Sequence, residues 1–351
     1  MARARQQGFS RHRRLPGWVR YVTLPLTLCL FWPVIRLLEL TGRWPRVLAR
    51  LMNRALGRFG DYRPGVHDVL VCSYFKSGTN WTMQIAVQIA HLGQASFEHI
   101  HDLVAWPETR SRFGKSIAVP ITDEDPWRNA PTGLRVIKTH LPMDKVPYDA
   151  AARYICVVRD PKDVFVSSFH FVRDTMLGPL MPSKARWLEN FLSPDAISGS
   201  WAAHLHSYWQ ARQRDNVLFL TYEEMKRDLP GTVRRIAQLM GVALSGEQFD
   251  AVVQQSSFGH MKQIGLKFDT SRFRRSGRKA GGTMIRRGES GIATELLGAD
   301  EQRRIDAYWC TQLAQLGCDF PYAQSFGTAV AAAAALPGTS AGADADAGLP
   351  H

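Results

Sequence analysis

Two short apolar runs, each ended by a polar turn and followed at once by an amphipathic stretch, constrain the fold of this chain most. Residues 68–74 (DVLVCSY) read as a buried strand, and residues 75–80 form a polar turn containing Gly78. From Trp81 to Leu92 the side chains of Trp81, Ile85, Ile89 and Leu92 recur on one helical face. Residues 153–158 (RYICVV) repeat the design, with Pro161 suited to an early helical position and a helical pattern over 162–173. Residues 134–138 and 217–221 are further strand candidates, and helical patterns follow at 201–213, 232–240 and 300–316. Pro230 marks a break before the third of these, and Gly241 suits its end. Strands alternating with helices predict an α/β fold, a mainly parallel sheet flanked by helices. Ligands in such sheets bind at the carboxyl ends of the strands.

Composition narrows the class. The chain has 351 residues, of which 45% are hydrophobic, enough for a substantial core and incompatible with global disorder. Its net charge of +13 favours anionic partners such as nucleotides, nucleic acids or acidic lipid surfaces, although a merely basic surface gives the same number. Cys29, Cys72, Cys156, Cys310 and Cys318 make no CxxC pair, and Cys72 and Cys156 fall inside apolar runs. Neither a disulfide framework nor a zinc site is expected, and a reducing, cytoplasmic compartment is.

The two ends stand apart. Residues 1–62 form a basic and apolar extension: Arg3, Arg5, Arg11, Arg13, Arg14 and Arg20 precede an apolar stretch over 21–35, with no acidic residue before Glu39. As a helix that stretch reaches about 22 Å, short of the roughly 30 Å hydrocarbon core. An interfacial anchor, a transmembrane helix and a helix packed on the domain all fit, and the basic flanks suit peripheral contact of residues 1–60 with a membrane. Residues 326–351 are rich in alanine, have few large apolar side chains and read as a disordered tail. Residues 63–325 form the domain between them.

The first loop, residues 74–81 (YFKSGTNW), has the chemistry of an oxyanion cradle. Gly78 permits a tight turn and lets the following amides point at an anion. Ser77, Thr79 and Asn80 supply neutral donors, Lys76 a positive charge, and Trp81 a flat face for a base. It is not a Walker A sequence, because Lys76 precedes Gly78. Taken alone, it serves equally well as an ordinary strand-to-helix connection.

The second loop begins at Arg159, whose forked guanidinium suits a dianionic phosphate. Ser167 follows about two helical turns later, where both could face one phosphate. A solvated helix start explains the same residues. Between the loops, Lys138-Thr-His140 ends a strand candidate. Imidazole suits removal of a hydroxyl proton, and although a lone histidine is more often structural, a strand end two residues from a lysine favours the catalytic role.

Together these stretches resemble the cytosolic-type sulfotransferase family, which uses 3'-phosphoadenosine 5'-phosphosulfate (PAPS). Residues 74–81 are similar to its 5'-phosphosulfate loop Y-P-K-S-G-T-x-W, with Phe75 in place of proline. Residues 159–167 are similar to its 3'-phosphate signature R-x-P-K-D-x-x-x-S, and KTHLP to its catalytic strand end. Residues 217–226, 256–261 and 284–291 look like further family segments, so the resemblance covers about residues 66–322 in order.

The resemblance implies a P-loop-NTPase-like sulfotransferase fold and a set of roles. Lys76, Ser77, Gly78, Thr79, Asn80 and Trp81 would hold the 5' end of the nucleotide. Arg159, Ser167, Arg286, Arg287 and Gly288 would hold the 3'-phosphate, with Tyr222, Ser256 and Phe258 on the adenine side. His140 would be the base, Lys76 and Lys138 would stabilise charge, and Phe169 and Phe171 would line an apolar acceptor pocket. Phe97, Trp106, Phe113 and Trp127 fall where substrate loops lie, or in the core. PAPS would be the co-substrate and adenosine 3',5'-bisphosphate the product, with no metal. The acceptor would be a small-molecule or lipid hydroxyl, not nucleic acid. Ile292-Ala-Thr294 replaces a family D-W-K sequence, which leaves the oligomeric state open. Two other classes fit parts of the pattern: a P-loop-like kinase or NTPase, marked by magnesium dependence, and a basic protein binding nucleic acid or anionic membranes.

Overall fold

The computed structural model describes residues 33–55, 59–109, 118–269 and 290–327. Among them five strands form one sheet: β1 (Asp68–Ser73), β2 (Val104–Ala105), β3 (Arg135–Thr139), β4 (Arg153–Val158) and β5 (Val217–Thr221). Their order is β2-β3-β1-β4-β5, and all the pairings are parallel. Parallel strands covered on both faces read as continuous apolar runs, and all six residues of β1 are buried. The strand candidates of the sequence are all present. β2, only two residues long, carries no periodic signal.

Helices cover both faces. Among the described residues the first helices are α1 (33–40) and α2 (Trp44–Ala55). After β1 comes α3 (Thr79–Ala90), and α4 (Asp125–Arg128) precedes β3. After β4 come α5 (Pro161–Phe171), α6 (Lys184–Phe191) and α7 (Trp201–Ala211). Beyond β5 lie α8 (Tyr222–Arg227), α9 (Leu229–Met240), α10 (Gly246–Gln255), α11 (Phe258–Gln263), α12 (Ala299–Gln315) and α13 (Tyr322–Phe326). Strand geometry sends alternate side chains to opposite faces. Val69 and Val71 therefore pack with α3, α9 and α10 through Ile85, Val233 and Val252. Leu70 and Cys72 pack instead with α5, α7 and α12 through Phe165, Trp201 and Trp309.

Three details differ from the sequence reading. α3 is buried on nearly every side, not along one stripe, because α9 and α10 pack across it. Pro230 lies inside the first turn of α9, where its missing N–H is harmless, and the Asp228 side chain caps that helix by accepting from the Gly231 amide. Phe326, the first residues of the expected tail notwithstanding, packs its ring against Trp201, Phe320 and Tyr322. Residues 328–351, and the basic N-terminal residues 1–32, lie outside the described residues. Among the described residues no helix is long and apolar enough to cross a membrane.

β1 lies at the switch point of the sheet. Its neighbours are β3 on one side and β4 on the other, so the connections diverge at its carboxyl end and open a crevice there. At the opposite end a buried ion pair fastens β1 to β3. Arg135 Nε lies 2.7 Å from the Asp68 carboxylate, which also accepts from Tyr62 Oη and the Gly65 amide.

Losing one member of a buried pair strands the other, so Asp68→Ala is expected to cost about 3–5 kcal/mol in urea unfolding. Replacing both partners by similarly sized apolar residues, Asp68→Leu with Arg135→Met, is expected to recover most of that loss.

Candidate active site

Ser73 at the end of β1 pairs in register with Val157 of β4, so the loops after these strands emerge side by side. The first turns sharply. Gly78 has φ of 104°, and a Cβ placed there would lie 2.7 Å from Cδ2 of Tyr222. Lys76, two residues earlier, also has positive φ, at 67°. The start of α3 at Gly78 carries no side-chain cap, whereas the start of α5 is capped by Asp160, which accepts from the Lys162 amide. The first amides of α3, at the positive end of its dipole, are thus available to an anion. Thr79 Oγ1 is spent on a 2.6 Å hydrogen bond with Ser73 Oγ. Ser77 Oγ is buried and has no hydrogen-bond partner among the described residues.

The second loop brings Arg159 to the same rim. Its guanidinium lies 4.4 Å from the centroid of the Tyr222 ring and 3.2 Å from Asp163. A buried ion pair of 2.6 Å between Lys162 and Asp306 ties this end of α5 to α12. Tyr222 also meets Trp81 edge-on, with centroids 5.5 Å apart. The Trp81 indole N–H donates to the Ser256 carbonyl at 2.7 Å, and Ser256 Oγ is a second buried hydroxyl with no partner among the described residues. Gly78, Trp81, Arg159, Tyr222 and Ser256 are therefore brought together.

The remaining residues expected to meet the nucleotide are less tightly grouped. Ser167 is half-buried on α5, and Phe258 is exposed at the start of α11. Arg286, Arg287 and Gly288 lie outside the described residues. The chain that follows them returns to the rim, because the Gly291 amide donates to Asp163 at 3.0 Å, the carboxylate that Arg159 contacts.

The third strand end, after β3, presents His140. His140 Nδ1 lies 2.8 Å from the Ser73 carbonyl oxygen. A carbonyl only accepts, so Nδ1 carries the proton and the lone pair is on Nε2. Burial, and then the charge of Lys138, holds the imidazole pKa well below its usual 6.5, so the ring is neutral at pH 7. Phe75 and Trp106 flank it edge-on, at 6.1 and 5.9 Å. Phe75 also meets Phe171 at 5.5 Å, and the Lys76 ammonium lies 4.3 Å from the centroid of the Phe171 ring. Phe169 instead packs in the core beside Phe165. Of the other aromatic residues in the substrate-loop stretch, Phe97 packs on Phe268, Trp127 stacks on His67 at the far end of the sheet, and Phe113 lies outside the described residues.

Glu108 was not legible in the sequence. Its buried carboxylate accepts hydrogen bonds from Thr139 Oγ1 (2.6 Å), the amides of His140 (2.7 Å) and Leu141 (3.1 Å), and Trp106 Nε1 (2.5 Å). These bonds fix the strand end that presents His140. The one available signal was an acid inside an apolar and aromatic stretch, residues 103–108. Lys138, whose ammonium lies 3.4 Å from the Trp106 ring centroid, is pushed down to about 7 by burial, against the pull of Glu108. Among the described residues no group of three or more His, Cys, Asp or Glu is placed to hold a metal ion.

The rim therefore offers an uncapped helix start, two buried hydroxyls awaiting partners, and the cations Lys76, Lys138 and Arg159. That donor set fits a nucleotide bearing anionic groups at both ends of its ribose.

Known proteins are similar over the same region. A family profile described as a sulfotransferase domain matches residues 66–317. The chain is 31% identical to human sulfotransferase 1C2 over 210 residues, 56% of this chain and 66% of that protein. It is 33% identical to mouse sulfotransferase 2A6 over 202 residues, 56% and 67% of the two chains. The aligned segment thus spans about two thirds of these relatives. Among solved structures, retinol dehydratase in complex with androsterone and the inactive cofactor PAP is similar with a TM-score of 0.60, at 22% identity over 78% of this chain and 88% of that one. Mouse sulfotransferase SULT7A1 complexed with PAP gives a TM-score of 0.54, at 23% identity over 75% and 90%. At these identities the structural likeness establishes the fold.

Anion binding beside Lys138 favours its charged form, so binding of adenosine 3',5'-bisphosphate at pH 8 is expected to take up close to one proton. The lysine's share of the uptake should shrink as the pH falls and the lysine is already charged, and uptake at pH 8 should be much smaller in Lys138→Met. Calorimetry in buffers of different ionisation enthalpy measures it.

Proposed function

This chain belongs to the sulfotransferase domain family and catalyses PAPS-dependent sulfuryl transfer, and we propose that His140 is the base that accepts the proton of the acceptor hydroxyl. The observation that carries this reading is the 2.8 Å bond from His140 Nδ1 to the Ser73 carbonyl, which leaves a neutral ring with its basic nitrogen at Nε2. The acceptor oxygen attacks sulfur in line. The new O–S bond forms as the bond from sulfur to the 5'-phosphate oxygen breaks. The electron pair leaves with adenosine 3',5'-bisphosphate, and the acceptor proton goes to Nε2. Lys76 and Lys138 stabilise the negative charge that builds on the bridging and equatorial oxygens.

The proposed nucleotide contacts follow the two loops. Lys76 to Trp81 take the 5' end, Arg159 and Ser167 the 3'-phosphate, and Tyr222, Ser256 and Phe258 the adenine side. The buried hydroxyls of Ser77 and Ser256, which have no partner among the described residues, support this assignment, because the nucleotide would give each a hydrogen bond. Arg286, Arg287 and Gly288 join the 3'-phosphate contacts through the resemblance of their segment.

For the acceptor, Phe75, Trp106 and Phe171 around the site support a small apolar molecule with a hydroxyl, a lipophilic alcohol or a phenol. The core position of Phe169 favours Phe75 as the second wall of that pocket. The proposed compartment is the cytoplasm, which suits the free thiols of Cys72 and Cys156.

His140→Ala is expected to lower turnover with PAPS and an apolar alcohol or phenol by about 10²-fold or more, the usual worth of a general base. Its affinity for adenosine 3',5'-bisphosphate should stay close to that of the wild type in the same preparation. Turnover at the wild-type rate would exclude His140 as the base.

A further inference from the structure

The hairpin of α1 and α2 takes no part in the nucleotide rim, yet two independent features mark its surface. The first is apolar exposure. Val34, Leu37 and Leu40 on α1 are 53%, 62% and 79% exposed, and Leu51 on α2 is 58% exposed. Their spacing of three keeps Val34, Leu37 and Leu40 along one side of α1. The second is charge. Residues 33–55 contain five arginines, Arg36, Arg43, Arg46, Arg50 and Arg54, and a single acidic residue, Glu39. Arg36, Arg43, Arg46 and Arg50 are exposed. Glu39 is turned inward, where its carboxylate accepts from the Ser183 amide at 3.1 Å.

The hairpin is firmly mounted. The Trp44 indole donates to the Leu180 carbonyl at 2.8 Å, Leu48 and Ala49 are buried, and the Asn53 side chain bonds the Ala196 carbonyl and the Ser198 amide, both at 3.0 Å. The segment it grips, residues 178–183, follows Phe171 through a single π-helical stretch, Val172–Leu177. The hairpin is thus fastened to the chain that continues from the acceptor wall.

We propose that this hairpin docks on an anionic lipid surface, with Val34, Leu37 and Leu40 in the interface and the arginines on the headgroups. A lipophilic acceptor would then reach the site from the membrane. Apolar contact and attraction to acidic headgroups add in interfacial binding, and the hairpin offers both on one element. A nucleic acid would use the arginines and leave the aliphatic side chains in water. The substrate part of this inference rests on the proposed sulfuryl transfer; the docking part does not.

The test uses the full chain with vesicles of phosphatidylcholine alone and with about one third phosphatidylserine, in a flotation assay. Binding is expected to the anionic vesicles, about tenfold or more weaker to the neutral ones, and weaker again as salt is raised. Leu37→Glu with Leu40→Glu should lose about tenfold or more on anionic vesicles while binding adenosine 3',5'-bisphosphate as the wild type does, which also reports that the variant is folded. No binding of the wild type to anionic vesicles overturns the proposal. So does wild-type binding by the double variant. Tight binding of duplex DNA, equal in both proteins and without vesicle binding, would assign the arginines to nucleic acid. Failure of both proteins to bind the nucleotide would instead overturn the proposed nucleotide site and leave the docking result standing.

Discussion

The close approach of Gly78 to the ring of Tyr222 is the contact on which the rest of the site depends. A Cβ at position 78 would meet that ring at 2.7 Å, so only glycine lets the first loop lie against it. The same ring carries the Arg159 guanidinium at 4.4 Å and the edge of Trp81. Tyr222 directly follows β5, and the sheet places β1, β4 and β5 side by side. One aromatic ring therefore locks three neighbouring strand ends and fixes the spacing between the first loop and Arg159. Burial raises the Tyr222 pKa, so the phenol stays neutral and leaves the arginine its charge for the nucleotide.

Electrostatics joins binding to chemistry. Lys76 and Lys138 act on each other and on His140, and burial in a low-dielectric crevice makes their charge costly. The protein supplies only part of the compensation, through Glu108, whose hydrogen bonds are committed to holding the strand end. A polyanionic nucleotide supplies the rest. It would relieve the like-charge repulsion, hold Lys138 protonated, and raise the basicity of the neutral His140 ring when the acceptor is to be deprotonated. In the proposed mechanism, a base weakened in the free enzyme and strengthened by the co-substrate is well matched to transfer that must not begin without it.

Much of the fold was legible because a parallel sheet imposes continuous apolar strands. The stretches 68–73, 153–158 and 217–221 have no other comfortable environment, and they formed as read. The polar turns between strand and helix were legible for the same reason, since a reversal from β1 into α3 needs Gly78. Features made by packing were not. β2 is two residues long, α3 is enclosed by helices distant in sequence, and Glu108 acquires its meaning only when Thr139, His140 and Leu141 close around it. Phe75 shows the limit well. In the sequence it is only a replacement for the family's proline, yet its ring spans His140 and Phe171 and helps shape the apolar side of the site.

The central claim is that two adjacent strand-end loops hold the two ends of one nucleotide. Equilibrium affinities of adenosine 3',5'-bisphosphate, adenosine 5'-monophosphate and adenosine 3'-monophosphate, compared in the wild type and in Arg159→Ala, test it most directly. The wild type should prefer the bisphosphate to either monophosphate by about tenfold or more, the scale of a charge-assisted hydrogen bond. Arg159→Ala should lose most of that preference, the remaining 3'-phosphate contacts keeping only a small part of it. Equal affinity of the wild type for all three nucleotides, or an undiminished preference for the bisphosphate in Arg159→Ala, would contradict it.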